Sequence, residues 1–569
     1  MGNNGPHRMR GSRILAAAAL AAIAGCRTLR EPPGPPADLV LLGGTVHTMD
    51  PARPRAEALA VRGGLLAAVG SDDEIRLLAG PGTRVLDAAG LTVLPGLVDA
   101  HGHLESLGAG LRRIDLVGTA SAEEVAAAVR ERAAAAPPGG WILGRGWDQN
   151  DWAKKSFPTR HLLDAAAPDR PVWLVRIDGH AGWANGRALA LAGIGPSTPD
   201  PAGGRILRDP ATGEPAGVLV DAAMDLLAPL VPRPTRAERK DALRRGAEAC
   251  VAAGLTSVHD AGVDAEGVDL CRELADEGAL PLRVYAMLAD SPDLIRGTTF
   301  REGPVVGYGG RRLTVRAVKA YADGALGSRG AALLEDYADD PGNRGLLQAE
   351  PAALEALAGR CLAVGWQLCV HAIGDRGNRV VLDAFEAALR RAPRADHRFR
   401  VEHAQVLSLE DIPRFARLGV LPSMQPTHAT SDMPWAGDRL GPARLAGAYA
   451  WRKILDAGSA IPCGSDFPVE SHDPLKGIHA AVTRQDAGGR PEGGWLPGER
   501  MTREEALRGF TVDACRAAFE EGWKGTLAPG MAADLTVLDR DVLACPATEI
   551  LEARVVWTVV AGEVVYPSR

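Results

Sequence analysis

A short apolar run ending in two histidines one residue apart constrains this 569-residue chain more than any other feature: Leu94-Pro95-Gly96-Leu97-Val98-Asp99-Ala100-His101-Gly102-His103. The run reads as a buried strand. Side chains alternate along a strand, so His101 and His103 share one face at its C-terminal end. Two imidazoles projecting together can hold one metal ion, and Gly102 between them lets the backbone approach closely. The plainer reading is a pair of histidines in a polar turn. It loses ground because further histidines and an acid recur at the ends of later strand candidates.

Those candidates are residues 94–100, 256–260, 282–288, 315–321, 367–371, 399–403, 421–425 and 461–466, several followed by Ala-rich helical stretches such as 378–391 and 409–418. Strands alternating with helices imply an α/β fold, here a (β/α)₈ TIM barrel with catalytic groups at the C-terminal strand ends. The barrel is expected over 94–525. Residues 38–93 and 526–569 are strand-like and punctuated by glycine, which suggests one composite β-sandwich built from both ends of the chain. The gap between the first two barrel strands exceeds one crossover. An insertion is therefore expected at about 104–244, placed over the barrel mouth and able to shape a pocket.

The first residues differ in kind. A basic stretch at 7–13 precedes an apolar run at 14–24 that is too short to span a bilayer as a finished helix. The pair reads as a secretory signal over 1–26. Its end, Ile23-Ala24-Gly25-Cys26, resembles the bacterial lipoprotein processing box, with Cys26 as the lipidated residue and a Pro-rich tether over 27–37. The expectation is an exported protein anchored to a membrane by lipid and facing the periplasm or cell exterior. An incidental cysteine in a disordered N-terminus is the alternative. The other seven cysteines are scattered without a C-x-x-C pair and read as buried thiols. A net charge of -7 leaves no basic excess for phosphates and argues against nucleic acid as a partner.

Beyond His101 and His103, candidate barrel strands end in His259, Lys319, His371, His403 and Asp466. In a barrel, successive strand ends form a ring, so these distant residues would converge as imidazole and carboxylate ligands do around first-row metals. Around them run PGLVDAHGH at Pro95, GWDQNDW at Gly146, DGHAGWAN at Asp178, TSVHDAG at Thr256, VKAYADGALGSRGAAL at Val318, VHAIGDRGN at Val370, VEHAQ at Val401 and GSDFPVE at Gly464. This ordered series resembles the amidohydrolase superfamily of metal-dependent hydrolases. Within it, the series is most similar to the YtcJ-like, amidohydrolase-3 branch that includes N-substituted formamide deformylases.

The resemblance implies roles. His101 and His103 would bind the more buried metal, and His371 and His403 the second. Lys319 matches a lysine that relatives carbamylate with CO₂ to bridge the ions. A free ammonium would repel a dication, so a ligand role needs that modification or deprotonation. The competing reading of Lys319 is a buried lysine paired with an acid such as Asp323. Asp466 would touch metal and shuttle the proton. His259 reads as a support or packing residue, and His180, Trp147 and Asp148 as substrate-contacting or structural. The expected cofactor is one or two divalent ions, zinc foremost, and the expected partner a small-molecule substrate, with self-association left open. Hydrolysis of a C–N bond in an amide or N-substituted formamide leads. Deamination, cyclic amide opening, ester hydrolysis and a non-catalytic lipid-anchored binding protein are the alternatives.

Overall fold

The computed structural model describes residue 1 and residues 34–567, apart from 136–138, 150–151, 177–180, 202–203, 293–296 and 328. The proposed signal, Cys26 and His180 lie outside the described residues. Among those described, no helix is long and apolar enough to cross a membrane.

Seven parallel strands pair in sequence order: β1 (Leu97–Gly102), β2 (Leu255–Val263), β3 (Arg283–Ala289), β4 (Leu313–Tyr321), β5 (Gln367–Ala372), β6 (Arg400–His403) and β7 (Leu421–Ser423). They are apolar runs buried on both faces, as parallel strands wrapped by helices must be. The helices include α1 (Arg236–Ala252) before β2, α2 (Ala265–Asp276) after it, α3 (Pro351–Val364) before β5, α4 (Asp375–Arg391) after β5, α5 (Ile412–Leu418) before β7 and α6 (Pro426–Asp432) after β7. Inside the barrel, Ala261, Tyr285, Met287, Ala317 and Cys369 form a small apolar plug. Lys319 and His371 lie two residues further along β4 and β5 on the same faces, above that plug.

The eighth strand departs from expectation. Residues 461–466 do not form a regular strand, yet they close the barrel. Cys463 bridges Met424 and Phe467 bridges Gly102, both in parallel. Ala100 N donates to Cys463 O (3.0 Å), Asp466 N to His101 O (2.7 Å) and His103 N to Phe467 O (2.9 Å). Irregularity follows from the residues: Asp466 sits at φ 61°. The Asp99 carboxylate also stands in for ladder acceptors, receiving His101 N, Ser465 N and the Ser465 hydroxyl. Gly464 is required by this approach, since a Cβ there would lie 2.5 Å from His101 N.

The first expected strand also needs correction. The run 94–100 is divided at Pro95-Gly96: Thr92–Pro95 pairs in a terminal sheet, and only Leu97 onward enters the barrel. That terminal sheet orders Glu563–Tyr566, Val555–Val560, Leu535–Leu538, Thr92–Pro95, Thr45–His47 and Arg55–Ala56. It shares a core with a four-stranded N-terminal sheet through Leu39, Leu41, Val61, Val93, Leu535 and Val559. The composite sandwich thus takes strands from both ends of the chain. A buried bidentate pair between Arg283 and Asp534 (2.7 and 2.9 Å) fastens it to the barrel.

After β1, the insertion builds its own six-stranded sheet from Ile114–Asp115 to Pro215–Asp221. Trp147, Trp152 and Trp183 pack in its core. The described cysteines are free, and six of the seven are buried.

Candidate metal centre

The C-terminal ends of the barrel strands open into a cavity of about 370 Å³. His101, His103, Lys319, His371, His403 and Asp466 all line it, so six residues spread over the chain converge as the sequence led one to expect. Three imidazole pairs are in contact: His101 with His103 (5.5 Å between ring centres), His101 with His403 (4.9 Å) and His371 with His403 (4.5 Å).

Backbone conformation aims two of these groups. His403 sits at φ 75° and Asp466 at φ 61°. Left-handed backbone costs a non-glycine residue on the order of 1–3 kcal/mol and persists where surrounding structure imposes it. At His403 the effect is specific. Strand alternation alone would turn either Glu402 or His403 inward. The left-handed turn at the strand end lets Glu402 face the barrel interior while His403 still reaches the mouth.

Each imidazole has one nitrogen tied to an acceptor. His101 Nδ1 donates to Glu402 Oε2 (2.6 Å), His103 Nδ1 to Ala261 O (2.9 Å), His403 Nδ1 to Gln425 Oε1 (2.8 Å) and His371 Nε2 to Gly324 O (3.4 Å). Such acceptors fix the tautomer and leave the other ring nitrogen for a cation. His101 Nε2 is buried without a hydrogen-bond partner. It lies 3.6 Å from Asp466 Oδ1, and His103 Nε2 lies 3.0 Å from the same oxygen. A 3.6 Å separation is too long for a hydrogen bond but ordinary for two donors on one ion. Among the described residues, donor atoms within 4.8 Å of one another form two sets, His101/His103/Asp466 and His403/His428/Asp466. The donor chemistry and the orphaned nitrogen fit a divalent cation.

The electrostatics agree. Burial, reinforced by Lys319, pulls His101 down to about 4 and His371 to about 3, and burial beside His371 holds His403 well below its usual value. These rings are neutral, as ligands must be, at physiological pH. Burial also lowers Lys319, which makes no ion pair with an acid among the described residues. Asp323 does not pair with it, and instead accepts the backbone N–H groups of Ile373, Gly374 and Ala332. Burial would raise Asp466, but the His103 hydrogen bond holds its carboxyl well below the usual range.

Behind these side chains lies a layer from which the sequence singled out only His259. Glu402 pairs with Arg400 (2.8 Å), both fully buried. Arg400 also donates to His259 Nδ1 (3.0 Å), Ala100 O and the Ser423 hydroxyl. His259 therefore supports the site through Arg400 and Glu402. His428, Gln405, Tyr321 and Asp432 line the cavity and were also missed. A histidine three residues past the end of the seventh strand candidate was the available signal for His428. Trp147 and Asp148 do not line the cavity. Trp147 is fully buried with its indole N–H on Leu174 O, and Asp148 pairs with Arg176.

The amidohydrolase family model matches residues 84–566. The chain belongs to the amidohydrolase family. The enzyme is 34% identical to the Arabidopsis thaliana protein LONG AFTER FAR-RED 3 over 95% of this chain and 94% of that one. It is 34% identical to YtcJ of Bacillus subtilis over 92% and 98% of the two chains. It is 32% identical to the N-substituted formamide deformylase of Arthrobacter pascens over 93% and 98%. A metal-dependent hydrolase from Pyrococcus horikoshii superposes with a TM-score of 0.73 at 27% identity, covering 90% of this chain and 99% of that one. Family and donor set together make this amidohydrolase a metal-dependent hydrolase of C–N bonds.

Proposed function

We propose that this amidohydrolase cleaves the C–N bond of an amide or N-substituted formamide, with Asp466 as the proton shuttle. The observation that carries the reading is the placement of Asp466, which meets His103 at 3.0 Å and faces the cavity from left-handed backbone. His101, His103, Lys319, His371 and His403 would hold zinc, one or two ions, beside it. When bound, zinc supplies a polarised carbonyl and a water made acidic enough to act near neutral pH.

The protein's own groups do the rest. Asp466 accepts a proton from the attacking water and returns it to the leaving nitrogen, so that amide and water become carboxylic acid and amine. A carboxylate held ionised in the resting site suits the first duty. Glu402, Gln425 and Ala261 O keep the imidazoles oriented. Burial lowers Lys319 and so eases its passage to the neutral amine, the form that combines with CO₂; a carbamate there would supply a further anionic ligand. Export and lipidation at Cys26 remain our reading of the N-terminal sequence. They are tested by lipid labelling of wild type against Cys26→Ser.

Purified protein should carry zinc and hydrolyse members of a panel of formamides and amides with release of amine. Chelation should abolish turnover and zinc should restore it. Folded protein without bound metal, indifferent to chelator and added zinc, would overturn this function.

A further inference from the structure

His428 is absent from the ligand set implied by the family resemblance, yet the fold places its ring among the candidate donor atoms. It lies on α6, which begins at Pro426 directly beyond β7 and so projects into the mouth of the barrel. Its side chain lines the cavity and is about nine-tenths buried. Its Nε2 is sealed from solvent and has no hydrogen-bond partner. A buried imidazole nitrogen without a partner is costly unless something meets it.

The surroundings show what would. The His428 ring lies nearly parallel to that of His403, 19° between planes and 5.9 Å between centres. His428 Nε2 is 3.8 Å from Asp466 Oδ2. That separation exceeds a hydrogen bond. Two donors each about 2.1 Å from one zinc can stand up to roughly 4.2 Å apart, so 3.8 Å fits a shared ion. The opposite oxygen, Asp466 Oδ1, faces His101 and His103 at 3.6 and 3.0 Å. The carboxylate thus turns one oxygen to each imidazole group. No Lys or Arg among the described residues pairs with Asp466.

We propose that His428 is a protein ligand of a second cation held with His403 and Asp466 Oδ2, with Asp466 meeting the first ion through Oδ1 and keeping a second lone pair on each oxygen for the proton it shuttles. This rests on the reading of the cavity as a metal centre and adds to it a ligand on α6. The second ion then has an imidazole–imidazole–carboxylate set of its own, independent of any carbamate on Lys319. That set is ordinary zinc chemistry.

The test uses the full chain, stripped of metal and titrated with Zn²⁺ or Co²⁺, with stoichiometry read by elemental analysis. Wild type is expected to hold two ions. His428→Ala should hold one, with affinity for the second reduced beyond the roughly 10–100-fold that losing a ligand's hydrogen-bond partner costs. His428→Gln guards against a variant that merely misfolds, because its amide oxygen reaches about as far as the imidazole Nε2 and can serve as a donor. It should bind the second ion more tightly than His428→Ala and, with Co²⁺, shift the visible ligand-field bands of the wild type, as a change of ligand atom does. Two ions of unchanged affinity in His428→Ala would overturn the proposal and assign His428 to water or substrate. So would a folded His428→Gln that binds the second ion no better than His428→Ala. A wild type holding one ion, unaffected at position 428, overturns this proposal alone. A wild type holding none overturns the metal-centre reading as well.

Discussion

Replacing Glu402 with glutamine separates orientation of a ligand from support of the fold. Glu402 Oε2 accepts His101 Nδ1 at 2.6 Å and Oε1 meets Arg400 at 2.8 Å, with all three side chains fully buried. Arg400 and His101 hold the carboxyl at about 2 against the opposing effect of burial. Glutamine keeps the shape and one acceptor but loses the charge. A hydrogen bond to a charged group is worth about 1.5–3 kcal/mol and a neutral one about 0.5–1.5. The His101 contact should therefore weaken by about 1.4 kcal/mol, which is tenfold in metal affinity. That agrees with the roughly 10–100-fold range for ligand-orienting partners. Arg400 becomes a buried charge without its counter-charge, a loss typically of about 3–5 kcal/mol. It keeps Ala100 O, the Ser423 hydroxyl and His259, so the lower end applies. Competition against a chelating dye reads the affinity, and denaturant melts of the metal-free protein read the stability. Unchanged zinc affinity alongside a destabilised apoprotein would refute the orienting role and leave Glu402 as a counter-ion to Arg400.

Other consequences follow from the same geometry. Asp466→Asn should leave the chain folded and lower kcat by about 10²–10⁴-fold, checked by steady-state turnover of whichever amide the wild type accepts. Zinc uptake should release protons, because the Asp466 hydrogen bond raises His103 above its ordinary value despite burial. Affinity should then fall with pH below that raised value, as read by calorimetry in buffers of differing ionisation enthalpy. Asp534→Asn should cost about 3–5 kcal/mol by leaving Arg283 unpaired. Against the effect of burial, Arg283 holds Asp534 below its unfolded value near 3.8. The pair's contribution is therefore present above that pH and lost as pH falls through the folded value, and the variant's melting temperature should show a shallower acid limb.

The sequence by itself determined the barrel, the terminal sandwich and six of the seven residues it placed at the barrel mouth; the seventh, His259, lies mid-strand, because β2 runs on to Val263. Each of these is local: an apolar run fixes a strand, period two fixes a face, and a polar residue at the run's end fixes a position at the mouth. It could not divide 94–100 between two sheets, because an apolar run carries no mark of which sheet its two halves will join. The tertiary structure alone decided Glu402, Arg400 and His428. Glu402 violates the alternation that placed His403, and only left-handed backbone at the strand end reconciles the two. His428 lies on a helical turn, where nothing in its neighbours' spacing says which way it points until the eighth segment brings Asp466 to within 3.8 Å. Packing around charge, and the direction of a turn, depend on residues tens to hundreds of positions away, and that is why they emerge only when the chain is closed on itself.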